Sequence, residues 1–588
     1  MKICRVIIHN FRNIKHVDVN IEDIVAIIGS NNSGKTNFLK ALSLPLMLDD
    51  GDSTKRLGWY DINKEARDRY YSFIDINRES ILNDSVNRER WAEVIPNVSV
   101  ELEFVADING HFDIRDLLVE ERDGKFIGKI MYNYHVKEPF KLLDRVKTLI
   151  SGDGNLLESK RMTILPTELF TYEIIIPGKN TKVSYDTLKG FRYSFLTAER
   201  DSFSSSSEKI GSRLLVDLFQ RKLTPQIQGD VEQEYTKFFE SIKNLGDLDN
   251  ILNWQNYSEI PNAKEFFKQI RIFPNMPSMN SILGSIKLGY GEDNLFSQGL
   301  GNRNLILLMV LLNSLLSKED ELSYKLVALE EPEAHLCTSN VLLIASFIER
   351  FKNLSTISQL FYSTHNTELI NKVGLEHVLI MNGGAAYSLK NELDDVSREY
   401  LANNPNTDIF KILFSRRVIL VEGITEELLI KSYLQSKNLL NDIKVFAFHK
   451  GFKKIIEIWK KVNVNSINKL GVIRDFDDQK AAQEEHEKFQ SERIKICTTS
   501  EYTLEPETVN AGNNYELLKN KYGDEYGWND LTKDQLQEKW RKSKTDIMFR
   551  ICKDLLSGDL NGFTMPAHIS GVIDFMIDKK EESAVDDN

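Results

Sequence analysis

Three groups of residues in this chain have the types and spacing that phosphate chemistry needs. The first is Gly29-Ser30-Asn31-Asn32-Ser33-Gly34-Lys35-Thr36, a complete G-x-x-x-x-G-K-[ST] loop. Its glycines let backbone N–H groups turn inward around phosphate oxygens, and a following helix adds the positive end of its dipole. Lys35 is the expected partner of the β and γ phosphates and Thr36 the expected Mg2+ ligand. The second group is Leu326-Val327-Ala328-Leu329-Glu330-Glu331-Pro332-Glu333, an apolar strand ending in two acids. Glu330 can hold Mg2+ through water while Glu331 faces the attacking water as general base. Between the two lies Phe296-Ser297-Gln298-Gly299-Leu300-Gly301, where Ser297 and Gly299 open an apolar helix and offer another phosphate cradle. Downstream, an apolar run from Gln359 ends in Ser363-Thr364-His365.

The third group is carboxylates at strand tips. Arg417-Val418-Ile419-Leu420-Val421-Glu422-Gly423 is an apolar strand that delivers Glu422 at its end, and Glu426 and Glu427 start the next helix. Leu470-Gly471-Val472-Ile473-Arg474-Asp475-Phe476-Asp477-Asp478 repeats the arrangement, and alternation places Asp475 and Asp477 on one side of an extended segment. Carboxylates on neighbouring strand tips make an oxygen-rich pocket for Mg2+ or Mn2+. Two such ions activate water and stabilise the leaving oxygen in phosphodiester hydrolysis.

These groups need a multidomain α/β frame. At 588 residues, with 41% hydrophobic and 28% charged residues, the chain is long enough for several ordinary globular cores. Strands are expected over Ile3–Ile8 and Ile24–Ile28, a helix from Lys35 to about Leu46, and a half-buried strand where Val98, Val100, Leu102 and Phe104 alternate with polar residues. The stretches 51–95 and 105–165 give no topology. A Ser run from Ser204 precedes helical spacing through Ile210, Leu214, Leu215, Leu218 and Phe219, and helical stretches continue to about Phe267. The resulting division is 1–203, a helical insertion 204–285, 286–402, and a fresh α/β pattern over 408–588, with Asn403–Thr407 (NNPNT) as linker. No apolar run is long enough to cross a bilayer, since the longest, Leu305–Leu312, breaks at Asn313. The start shows no secretory leader, and Cys4, Cys337, Cys497 and Cys552 lack metal-site or disulfide spacing, so a reducing cytoplasm is expected. A net charge of -12 argues against a general polyanion binder but leaves room for a local basic surface.

The order phosphate loop, Ser297–Gly299 helix, acidic strand and His365 resembles the ABC ATPases of recombination and chromosome maintenance. Ile8-His9-Asn10-Phe11-Arg12-Asn13 is similar to their opening strand, in which an Arg, here Arg12, approaches nucleotide. That resemblance implies ATP held between two heads, with Ser297 and Gly299 acting on the partner's nucleotide and His365 as a switch. Where those ATPases usually have Asp, Glu330 stands here. Strand-Glu-Gly, helix, strand-D-x-D resembles a Toprim domain, and EEPE joined to a C-terminal Toprim looks like the OLD (overcoming lysogenization defect) nuclease family.

The OLD resemblance implies Glu426 as a further metal ligand and a second acid best matched by Glu505, with Glu501 and Asp478 competing. It also implies a lysine that stabilises charge on the cleaved phosphate. Lys544 fits, though a solvated lysine at a helix start reads equally well. The expected activity is a Mg2+- or Mn2+-dependent DNA endonuclease regulated by ATP, with two ions at the Toprim site and one with the nucleotide. A homo-oligomer (dimer or tetramer), a role in antiviral defence, a UvrD-type helicase partner and no membrane association complete the expectation. The alternative is a non-cleaving recombination-type ATPase whose Toprim domain binds DNA or mediates assembly. The motifs are the same whether ATP drives cleavage or restrains it.

Overall fold

The computed structural model describes residues 1–48, 55–107, 114–151, 160–197, 215–216, 218–220, 222–246, 254–270, 272–273, 275, 277–286, 288–316, 323–354, 358–404, 409–440, 443–448, 451–464, 466–476, 480–500 and 503–578. The chain forms two compact units. One comprises Met1–Met47, Thr54–Leu188 and Phe361–Asn588, and the other Leu48–Ser53 and Lys189–Leu360. Among the described residues no helix is long and apolar enough to cross a membrane.

The first unit opens with β1 (Lys2–Phe11), β2 (Ile14–Asn20) and β3 (Ile24–Ile28). β3 is buried along its whole length and runs into the phosphate loop and α1 (Lys35–Leu42). The helix stops at Leu42, short of the expected Leu46, because Pro45 follows and the residue before a proline is pushed out of helical geometry. Then come α2 (Lys64–Ile76), β4 (Val98–Ala106), β5 (Lys125–Val136) and β6 (Phe170–Ile176). Strands β2-β1-β4-β5-β6 lie in that order in an antiparallel sheet. The sheet accounts for part of the stretch 105–165, through β5. Its pattern is present all the same, since Ile130, Tyr132, Tyr134 and Val136 alternate and are buried. On β4 the polar face is not left to water. Glu103 is 3% exposed and pairs with Lys129 at 3.0 Å.

In the second unit, β7 (Phe191–Leu196) pairs in parallel with β8 (Tyr324–Glu330), which is buried from Tyr324 to Leu329. Between them in sequence are α3 (Pro225–Leu245), which buries no residue, and α4 (Leu300–Leu316). Of the expected insertion, Ser204–Leu214 lies outside the described residues, whereas Leu215 is buried at 7%.

The chain returns to the first unit along β9 (Ser358–Ser363), β10 (Val378–Asn382) and β11 (Ala385–Ser388). β10 pairs in parallel with β3 and antiparallel with β11. Most of the NNPNT linker lies outside the described residues. After it come α5 (Ile409–Phe414), β12 (Arg417–Val421), α6 (Ile424–Ser436), β13 (Lys444–Ala447), α7 (Phe452–Val462), β14 (Lys469–Arg474), β15 (Ile494–Thr498), α8 (Leu504–Asn510), α9 (Lys544–Ser557) and α10 (Ala567–Met576). The four strands make an all-parallel sheet in the order β13-β12-β14-β15. Gly471 on β14 has no Cβ because α10 presses there: one would sit 2.3 Å from Val572 Cγ1. A buried cluster including Ile419, Val421, Leu429, Trp528, Trp540 and Ile569 forms this domain's core.

Candidate nucleotide and metal sites

The phosphate loop is framed by residues distant in sequence. Gly34 is the N-cap of α1 at φ 110°, a left-handed conformation that favours glycine. Gly29 cannot carry a side chain, since its Cβ would lie 2.3 Å from the Met381 carbonyl oxygen on β10. Lys35 Nζ donates to the carbonyls of Gly29 (2.8 Å) and Ser30 (3.0 Å), which keeps the ammonium inside the loop. Ser33 and Lys35 are buried, while Asn31, Asn32 and Thr36 face outward. Asn13 Nδ2 donates to the Asn32 carbonyl at 3.1 Å, and its oxygen accepts from Asn37 at 2.8 Å. Arg12, itself at φ 53°, donates to Asp61 at 2.8 Å and to Asn37 at 3.1 Å. So Arg12 reaches the helix that follows the loop. Asn37 and Asp61 carry no sequence signal of their own. His365 lies just past β9, where the Thr364 N–H donates to the Ile27 carbonyl at 3.0 Å. Its ring meets Phe414 edge-on at 6.5 Å.

In the second unit, Glu330 ends β8 and Glu331 takes φ 41°. A non-glycine residue there is strained and is held in place by its surroundings. Here a turn follows at once, with the Ala334 N–H donating to the Glu331 carbonyl at 2.8 Å. Ser297 and Gly299 are exposed at the start of α4. That helix lies against the loop after the acids: Asn304 Nδ2 donates to the Ala334 carbonyl at 3.2 Å, and a Cβ on Gly301 would be 2.7 Å from the His335 carbonyl oxygen.

The carboxyl ends of β12 and β14 bring the third group together. Glu422 Oε1 accepts the Asp475 N–H at 3.2 Å, tying the two strand tips to each other. Gly423 leaves room for Glu426, whose Oε2 would be 2.6 Å from a Cβ there. Burial pushes the Glu426 carboxyl above its usual range, the Glu505 carboxylate adds to that rise, and Lys544 opposes it. Glu505 is 1% exposed, accepts from Thr503 Oγ1 at 2.7 Å, and pairs with Lys544 Nζ at 3.1 Å. The residues matched to the second acid and the lysine are therefore partners. Glu427 belongs to the frame, accepting the Ala447 N–H at 2.8 Å. Thr499 was not anticipated; its Oγ1 accepts the Phe476 N–H at 2.9 Å and holds the loop after Asp475. Asp477, Asp478 and Glu501 lie outside the described residues. Among the described residues no group of three or more His, Cys, Asp or Glu side chains is arranged to hold a metal ion. The donor chemistry still suits a hard cation, because Glu426 and Glu505 are buried carboxylates that repel each other.

Phosphate-loop ATPase elements followed by a parallel sheet with carboxylates at its strand ends define an ATPase joined to a Toprim domain. The chain belongs to the AAA ATPase domain family, which it matches over residues 1–370, and over residues 413–477 it matches the Toprim domain of overcoming lysogenization defect-like proteins. It is 24% identical over 443 residues to Endonuclease GajA of Bacillus cereus strain VD045, covering 74% of this chain and 68% of that protein. To Endonuclease GajA of Bacillus cereus strain HuB5-5 it is 23% identical over 546 residues, covering 80% and 73%. Among solved structures it is similar to an Smc head bound to the C-winged helix domain of ScpA (TM-score 0.29, 12% identity, 67% of this chain and 100% of that one). It is also similar to the SMC head domain from Thermotoga maritima (TM-score 0.27, 14% identity, 66% and 97%).

Proposed function

We propose that this chain is a metal-dependent DNA endonuclease regulated by nucleotide at its ATPase domain. The observation that carries the reading is a pair of links, Glu422 to Asp475 across the ends of β12 and β14, and Glu505 to Lys544 with Glu426 close enough to feel both charges. In this reading Glu422, Asp475 and Asp477, with Glu426 and Glu505, hold Mg2+ or Mn2+, two ions in all. Bound there, the ions supply an acidified water and stabilisation of the leaving oxygen. Lys544 contributes a positive charge to the cleaved phosphate, and its pairing with buried Glu505 sets where that charge stands. Gly29 to Thr36 bind ATP with Arg12, Glu330 holds the Mg2+ that accompanies it, Glu331 positions water, Ser297 and Gly299 contact phosphate, and His365 senses it.

The test is cleavage of supercoiled plasmid with Mg2+ or Mn2+. Glu422→Gln and Asp475→Asn are each expected to reduce cutting to background while leaving the fold intact by circular dichroism. Cutting at the wild-type rate in both variants sinks the assignment and returns the non-cleaving DNA-binding ATPase. Titrating ATP in the same assay, with Lys35→Ala alongside, shows whether nucleotide drives or restrains cleavage.

The reading extends to a homo-oligomer formed through the 204–285 insertion. α3 supports it: Ile227, Phe238, Ile242 and Leu245 are 41%, 60%, 44% and 90% exposed at spacings of a helical stripe. The similarity to Endonuclease GajA and to the OLD Toprim family further supports a cytoplasmic role in defence against phage, alongside a UvrD-type helicase, which co-purification from the native cell would reveal.

A further inference from the structure

A buried carboxamide joins the Toprim sheet to the strand that backs the phosphate loop. Asn463, at the end of α7, is 0% exposed. Its Nδ2 donates to the carbonyls of Leu413 (2.8 Å) and Trp459 (3.1 Å). Its Oδ1 accepts from Asn382 Nδ2 (2.9 Å), Asn468 Nδ2 (2.8 Å) and Ser466 Oγ (2.8 Å). Both donors and the acceptor oxygen of this amide are thus in use, which at zero exposure fixes its orientation. Asn382 is the last residue of β10, next to Met381, whose carbonyl oxygen leaves Gly29 no room for a Cβ. On the far side, Leu413 lies on α5 beside Phe414, whose ring meets His365, and Lys469 N–H at the start of β14 donates to the Arg416 carbonyl at 2.8 Å. Two connected routes, Met381–Asn382–Asn463 and His365–Phe414, therefore run from the nucleotide residues to α5, and the Arg416 carbonyl just past α5 is bonded to the start of β14, the strand that leads to Asp475.

We propose that Asn382 and Asn463 are positioning residues that make the Toprim sheet follow the phosphate loop, so that nucleotide bound at the loop alters the placement of the strand-tip carboxylates. This rests on the nuclease reading for its output, and on the hydrogen bonds alone for its mechanism. A backbone shift at Gly29 moves Met381; Asn382 passes it to Asn463, and Asn463 to α5 and α7. Moving Asn382 off Asn463 would take from its buried amide the acceptor it has here.

The experiment is hydrogen exchange by mass spectrometry with and without saturating ATP, on the full chain and on Asn382→Ala. In the wild type, ATP is expected to slow exchange at the loop (29–42) and to change it by about fivefold or more in peptides spanning 409–414 and 452–463. In Asn382→Ala the loop response stays and the distant response is lost. Should Asn382→Ala fail to unfold cooperatively, Asn382→Ser keeps a polar group in the space and takes its place. A distant response that survives the substitution, or none in the wild type, overturns the proposal. Loss of the loop response as well also overturns it, since Asn382 would then belong to the nucleotide site. Plasmid cleavage by the same proteins is a separate arm: a wild type that never cuts refutes the nuclease reading and leaves the exchange result standing.

Discussion

His568 is a buried side chain with a pH signature of its own. It is 8% exposed on α10, with Nδ1 at 3.9 Å from Glu507 Oε2. Burial pushes its pKa from the ordinary 6.5 down to about 4, against the pull of the Glu507 carboxylate. The folded chain therefore keeps this imidazole neutral where the unfolded chain takes up a proton. Stability contributed by this group is present above 6.5 and is lost as pH falls from there towards 4, at up to about 1.4 kcal/mol per pH unit. Urea midpoints measured across that range should show the decline, and His568→Leu should flatten it. A variant with the wild-type slope shows that other groups are responsible. The neighbouring acids sort by partner: Glu507 caps Ser500 through its hydroxyl at 2.6 Å, while Glu505 pairs with Lys544. The family resemblance matched Glu505 to the second acid, with Glu501 and Asp478 competing, but only the fold shows that its carboxylate pairs with Lys544.

At the scale of elements, α4 and the loop after β8 are in backbone contact at Gly301. Gly301→Ala is expected to force the helix away from His335, costing about 1–3 kcal/mol of stability. ATP turnover should fall more than ATP affinity, since Lys35 and its loop are untouched; equal losses in both would refute this. The elements that were legible have strong local grammar. The β3–loop–α1 unit, β12 with Glu422 and β14 with Asp475 are each an apolar run ending in a residue that only makes sense at a strand tip. The antiparallel sheet was harder to read, although β5 alternates cleanly, because a charged residue on its polar face is also buried, as Glu103 paired with Lys129 shows. Asn37, Thr499 and Asn463 were illegible for another reason. Each is a short polar residue whose importance comes from a partner far along the chain, and no periodicity marks such a pairing.

For the whole molecule, association should depend on α3. Phe238→Glu with Ile242→Glu is expected to lower the assembly state in sedimentation or light scattering while leaving the melting of each unit nearly unchanged, since no residue of α3 is fully buried and both side chains are exposed. An unaltered assembly state removes α3 from the interface. The division into two units also means that the Toprim segment shares its unit with the phosphate loop, whereas Glu330 and Ser297 belong to the other. The amide that joins Toprim to the loop has a consequence for the chain's chemical ageing. Asn382 precedes Gly383, and an asparagine followed by glycine cyclises readily because no side chain shields the next N–H. Release of ammonia there replaces the donor facing Asn463 with a carboxylate. The folded chain slows that reaction by holding the amide at 8% exposure, so aspartate and isoaspartate at this one peptide record how often the junction has opened during a protein's lifetime.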